Sequence, residues 1–195
     1  NLTEINGGKC NTEEDFYKAC RAASILGTLQ AGYTDFKFLT DTSKLIFDRE
    51  ALLGVSITGW MNNPDILFNE NILEKGAKIV KEVNREVAQI IGINSAARTT
   101  CVKPSGNASV LLQTASGIHA EHSNMYIRNV QMNKESEITQ AIMKTNPYMV
   151  EDSVWSAGGT DVVVSFPILP KKGSMYKDDL LGVKHLELVK NCLLY

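Results

Sequence analysis

The sequence predicts an α/β protein in which helices cover a mainly buried sheet. Three observations carry this. Short β-prone runs alternate with long helical patterns along the 195 residues. The hydrophobic share of 44% against 22% charged residues is ordinary for a globular chain of a length that can bury a core. No repeat, low-complexity tract or Pro/Gly-rich linker interrupts the pattern, so one compact unit is expected.

The elements follow in order. Asn11-Thr12-Glu13-Glu14-Asp15 supplies cap residues and early acids that suit the positive end of a helix. Phe16, Ala19, Ala23, Leu26 and Leu29 continue at helical spacing until Gly32. A polar loop leads to Leu52–Gly59, an apolar run of strand type. Asn63-Pro64-Asp65 turns the chain, and a second long helix carries Leu73, Gly76, Val80, Val83, Val87 and Ile90 on one stripe, with Gly92 as its C-cap. Arg98–Lys103 is β-prone, Pro104-Ser105-Gly106 is a turn, and Asn107–Ala115 reads as a short helix. Tyr126–Met132 alternates like a half-buried strand, and Glu135–Lys144 is helical and must stop before Pro147. Thr160–Phe166 is a further strand, and an amphipathic helix begins near Leu180 and runs towards Tyr195.

A formal net charge of −2 provides no basic footprint for nucleic acid or an anionic membrane surface. No window of about 18 apolar residues appears, so no membrane-spanning helix is expected. The chain opens on Asn1 without a targeting pattern and closes inside a helical pattern, so it reads as a fragment of a longer protein. Cys10, Cys20, Cys101 and Cys192 share no short spacing, which suits reduced thiols and a cytoplasmic location.

The segment richest in chemistry is Thr100–Leu111. A strand delivers a Pro-Ser-Gly turn directly into a helix, leaving backbone N–H groups of the first turn unpaired beside the positive end of the helix dipole. Phosphate oxygens suit that place. Ser105, Asn107 and Ser109 can add side-chain hydrogen bonds, Ala108 offers its N–H, and Gly106 lets the backbone approach closely. The same pattern also fits a plainly capped helix, because it is no Walker sequence and Lys103 precedes the turn.

Ala96–Leu111, with Val102-Lys103-Pro104-Ser105-Gly106 at its centre, resembles the Val-Lys-Pro-Ser-Gly segment of adenosylcobalamin-dependent ribonucleotide reductases. Ala115-Ser116-Gly117-Ile118-His119 is similar to that family's Gly-Ile-His-Pro, with Ala120 in place of the proline. Tyr126–Gln131 resembles its Tyr-Ile-Arg-Arg strand. Asn1–Ile5, Gly27–Tyr33, Leu52–Gly59 and Gly182–Lys190 agree in the same order, whereas Cys192-Leu193-Leu194 departs towards apolar residues.

The resemblance implies part of a ten-stranded α/β barrel, with residues 1–195 as a C-terminal part of the catalytic domain that lacks the upstream finger loop and the downstream tail. It implies conversion of ribonucleotides to 2′-deoxyribonucleotides by thiyl-radical chemistry, with adenosylcobalamin as cofactor. The implied partners are a ribonucleoside tri- or diphosphate, the remainder of the reductase and a thioredoxin-type reductant. The family's radical cysteine and its glutamate, in an Asn-Pro-Cys-x-Glu segment, and one reducing cysteine fall before Asn1, and the shuttle cysteines fall beyond Tyr195. No catalytic residue is therefore expected on this chain, and it is expected to be inactive alone. Ser105, Gly106, Asn107, Ala108 and Ser109 are the implied phosphate ligands, and His119 lines the substrate cavity or serves as a structural histidine. Two other readings stay open: a non-catalytic assembly half of a split reductase, and the barrel of a reductase with another radical generator.

Cys10 lies near the reducing position, but the match of Asn1–Ile5 places that cysteine upstream. Cys101 reads as a structural thiol, and Trp60 and Trp155 read as packing residues. His119, Glu121 and His122 lack the further ligands a metal would need, so no metal is assigned.

Overall fold

The computed structural model describes residues 1–193; Leu194 and Tyr195, where the last helical pattern ends in the sequence, lie outside the described residues. The elements are β1 (Leu2–Asn6), α1 (Glu13–Ala31), α2 (Asp41–Glu50), β2 (Gly54–Thr58), α3 (Pro64–Leu67), α4 (Glu70–Ile91), α5 (Ala108–Leu111), β3 (Tyr126–Asn133), α6 (Glu137–Thr145), β4 (Val150–Asp152), β5 (Asp161–Ile168) and α7 (Val183–Cys192). They form two compact units rather than the one expected. The first comprises Asn1–Glu121 and the segment from Lys171 onward, and the second is His122–Pro170.

In the first unit β1 and β2 pair in parallel, from Leu2 opposite Gly54 to Asn6 opposite Thr58. A parallel pair needs a long crossover, and α1 with α2 provides it. α4 provides the next, returning the chain so that Thr100 bridges Val55, also in parallel. The strand expected over Arg98–Lys103 is thus reduced to one bridge, extended by hydrogen bonds from the Leu53, Val55 and Cys101 N–H groups. Pro104 stops the ladder there, since it has no N–H to donate. Alternating strands and helices agree with the α/β expectation.

α1 starts where the cap residues place it. Thr12 accepts from the Asp15 N–H and Asp15 answers on the Thr12 N–H, a reciprocal capping box. Phe16, Cys20 and Ala23 then meet Leu73 and Val80 of α4 in the core. Gly76 makes this crossing close, because a Cβ there would lie 2.5 Å from Phe16 Cε1. The two helices are also tied by polar groups. Ser24 Oγ donates to the Val80 carbonyl at 2.7 Å, and Asn84 Nδ2 donates to Thr28 Oγ1 at 3.0 Å. α4 ends on Gly92 at φ +74°, as its position predicts.

The second unit is an antiparallel sheet in the order β3-β5-β4 with α6. Tyr126 opposes Ile168 and Asn133 opposes Asp161. Val162 and Val164 of β5 are buried, and β3 alternates half-buried and exposed residues, as the sequence indicates. Trp155, expected to pack, is 84% exposed. α2 falls in a stretch read as loop; none of its residues is buried, so no apolar stripe announces it.

The α1–α4 crossing makes a prediction. Gly76→Leu should lower stability by about 1–3 kcal/mol through overpacking, whereas Lys81→Leu on the exposed side should stay within about 0.5 kcal/mol. Urea unfolding of both variants checks this, and equal midpoints would contradict the close crossing.

Candidate functional site

The Pro104-Ser105-Gly106 turn leaves the ladder beside β2 and enters α5. Lys103, just before it, is anchored to β1: its Nζ lies 2.7 Å from Glu4 Oε2, with the side chains 19% and 10% exposed. Such a pair, largely out of water, holds its geometry because either charge alone would be costly to bury.

Within the turn, Gly106 takes φ +54° with no atom within 4 Å of where a Cβ would sit. The Ala108 N–H donates to the Ser105 carbonyl at 3.0 Å and so closes the turn. The N–H groups of Gly106, Asn107 and Ser109 donate to no acceptor among the described residues. Asn107 is exposed, and its side chain does not cap the helix. The helix is shorter than expected, covering Ala108–Leu111, because Gln113 enters the left-handed region at φ +54°. The serine hydroxyls, expected to reach outward, face each other. Ser105 Oγ donates to Ser109 Oγ at 3.0 Å and lies 2.8 Å from Ser116 Oγ, and both Ser105 and Ser109 are buried. What the turn leaves unshared is therefore backbone N–H.

Asn62 holds the loop behind this turn. Its Nδ2 donates to Glu121 Oε1 and Ser174 Oγ, both at 2.9 Å, and its Oδ1 accepts from Thr114 Oγ1 and from the Ala115 N–H. Thr58 at the end of β2 accepts from the Gly117 N–H at 2.8 Å. His119 is exposed, with Nδ1 3.0 Å from the Ser116 carbonyl, and its ring stands at 70° to that of His185, 6.0 Å away. Sequence reasoning missed Asn62, Thr114, Ser116, His185 and the Glu4–Lys103 pair. Asn62 and Thr114 lie 52 residues apart and Glu4 and Lys103 lie 99 apart, so no local spacing signals either contact.

The other candidates have their own surroundings. Burial pushes the Cys10 thiol up to about 11, with Asp15 adding to it, and its Sγ donates to the Asn6 carbonyl at 3.4 Å. Burial also raises Cys20 and Cys192 to about 12 and moves Cys101 up. His122 packs on Tyr126 with ring centroids 5.7 Å apart. Among the described residues no group of three or more His, Cys, Asp or Glu side chains could hold a metal ion, and no helix is long and apolar enough to cross a membrane.

The fold matches part of a B12-dependent (class II) ribonucleotide reductase: a crystal structure of one superposes on 90% of this chain and 28% of its own, with a TM-score of 0.70 and 16% identity. Curated proteins of similar sequence are also reductases. The chain is 29% identical over 166 residues to a probable adenosylcobalamin-dependent ribonucleoside-triphosphate reductase of Dictyostelium discoideum, and 26% identical over 174 residues to an adenosylcobalamin-dependent ribonucleoside-triphosphate reductase of Euglena gracilis. These alignments cover 82% and 86% of this chain but 21% and 23% of the relatives, so the chain spans about a fifth of their length. No family model matches the chain. The relatives and the solved structure are thus of the family that the motifs resemble, and the chain aligns with one segment of each.

Two predictions follow from the site's framework. Asn62→Leu strands the Ala115 N–H and the Thr114 hydroxyl, and should cost at least about 2 kcal/mol at about 1–3 kcal/mol per unsatisfied group; a thermal melt within about 0.5 kcal/mol of the parent contradicts this role. The raised thiols concern pH. Neutral Cys10, Cys20 and Cys192 favour the folded state below the ordinary value of 9.0, and that contribution is lost as pH rises through 9 towards 11–12. At pH 8 all three should resist iodoacetamide in the folded chain, read by mass spectrometry; rapid labelling of Cys20 would overturn the burial.

Proposed function

We propose that this chain is the segment of an adenosylcobalamin-dependent ribonucleotide reductase that cradles the substrate's phosphates. The reductase would convert ribonucleoside tri- or diphosphates to 2′-deoxyribonucleotides, and the segment would supply strands to a closed ten-stranded α/β barrel. The observation that supports the cradle is the turn's set of unshared donors, the N–H groups of Gly106, Asn107 and Ser109, of which Gly106 and Asn107 are on exposed residues. Phosphate oxygens accept such N–H groups with charge assistance. The Ala108 N–H, already shared with Ser105, would contribute by holding the turn. Ser105 and Ser109 would act through the hydroxyl pair that stiffens it, and His119 would line the cavity on the adjoining loop.

The phosphates lie away from the reacting ribose carbons, so the cradle binds and orients; the thiyl chemistry would come from the remainder of the reductase. Adenosylcobalamin supplies the radical in such enzymes, and its pocket does not fit the residues present. Two cavities among the described residues, of 270 and 420 Å³, fall below and near the lower end of the roughly 300–1,000 Å³ typical of pockets for drug-sized ligands. Neither would enclose a corrin. A thioredoxin-type reductant would regenerate the reducing thiols elsewhere on the protein.

In the full-length reductase Gly106→Val should weaken nucleotide binding by about 10- to 100-fold, the equivalent of one lost charge-assisted hydrogen bond or more. The branched side chain opposes φ +54° as well as blocking the approach of phosphate. Ser109→Ala keeps its backbone donor and should do less. Both should act mainly on KM. Unchanged nucleotide affinity in folded Gly106→Val would make the turn a helix cap and nothing more.

A further inference from the structure

We infer that His185, on α7, is a positioning residue for the phosphate turn and acts through the Ser116–His119 loop; this rests on reading the turn as the cradle. His185 Nε2 lies 3.0 Å from the Ile118 carbonyl, and a carbonyl only accepts, so Nε2 carries the proton. By the same reasoning His119 Nδ1 carries a proton towards the Ser116 carbonyl at 3.0 Å. The two rings meet edge to face, so His185 also fixes the plane of His119. Between them Gly117 is buried at φ +53° and held from the other side, where its N–H donates to Thr58 Oγ1 and its carbonyl accepts from the Gly59 and Trp60 N–H groups.

The loop is therefore gripped by the Thr58 side chain at the end of β2, by the Gly59 and Trp60 backbone just after it, and by α7 through one imidazole. From it Ser116 Oγ reaches 2.8 Å to Ser105 Oγ, which in turn donates to Ser109 Oγ. The path from His185 to Ser109 runs through the Ile118 carbonyl, the backbone back to Ser116, and the hydroxyls of Ser116, Ser105 and Ser109, and so reaches the turn that would meet phosphate. A helix late in the sequence thus sets the orientation of a turn some eighty residues earlier, without touching the ligand.

The test is steady-state kinetics of the full-length reductase with adenosylcobalamin, a dithiol and varied ribonucleotide. His185→Leu, which removes the donor, should raise KM about five-fold with kcat within about two-fold, the range one neutral hydrogen bond allows. His185→Gln, whose amide N–H can reach the Nε2 position, should return KM to within about two-fold of the parent. Ser116→Ala should raise KM to a similar extent, and the double variant His185→Leu/Ser116→Ala no further than the larger single change, because both cut one path. A merely structural histidine would lower stability and kcat, would not be rescued by Gln, and would multiply with Ser116→Ala. Any of these results overturns the inference. So does an unchanged KM in Ser116→Ala, which leaves α7 intact whatever the fate of His185→Leu. If Gly106→Val raises KM while His185→Leu does not, only the role of His185 falls. If neither raises it, the cradle reading fails and takes this inference with it.

Discussion

A primary amide has two donor positions and room for two acceptors' worth of donation in return, and a buried one is stable only when all are met. Asn62 meets all four, with Glu121, Ser174, Thr114 and Ala115. The Ala115 N–H can only donate, which fixes the amide's orientation and leaves Nδ2 for the carboxylate. This single side chain joins the chain just after β2 to the loop next to the Pro104-Ser105-Gly106 turn and to the segment after Lys171. Remove it and the Thr114 and Ala115 donors are stranded together. The backbone follows the same lines: the Met175 N–H donates to the Met61 carbonyl, and the Glu121 N–H to Met175.

Around that junction the parallel arrangement decides what each strand face carries. β1 and β2 place Ile5, Val55 and Ile57 towards α1 and α4, where they line the apolar cavity with Phe16 and Val80. Alternation along the strand turns Glu4 and Ser56 the other way, opposite each other in register. Glu4 then meets Lys103, and the residue after it, Pro104, ends the pairing and opens the turn. A charged pair behind a neutral turn gives it a fixed base and leaves the N–H groups of Gly106, Asn107 and Ser109 unshared.

The four thiols fit this division between framework and cradle. Cys10, Cys20 and Cys192 are buried with pKa values pushed up, the opposite of what a nucleophilic or redox thiol requires. They serve as small apolar residues in the core. The radical and reducing cysteines of the proposed reaction then belong to other parts of the protein.

The sequence by itself determined the elements whose cause is local. Thr12 with Asp15, the stripe from Leu73 to Ile90 (of which Ile90 itself is 81% exposed), Gly92 after α4 and the alternation in β3 are short-range patterns, and the helices and strands formed within a few residues of them. It also determined the turn itself, since Pro104 fixes its own φ and Gly106, with no Cβ, takes the positive φ the turn needs. The tertiary structure decided the rest. Whether Arg98–Lys103 forms a strand depends on how far β2 can pair with it, and it pairs through one bridge. Whether Ser105 and Ser109 face ligand or each other depends on Ser116, and whether His119 is fixed depends on His185. These are contacts between side chains distant along the chain, whose partners are set by the packing of whole elements, so no periodicity or local propensity encodes them.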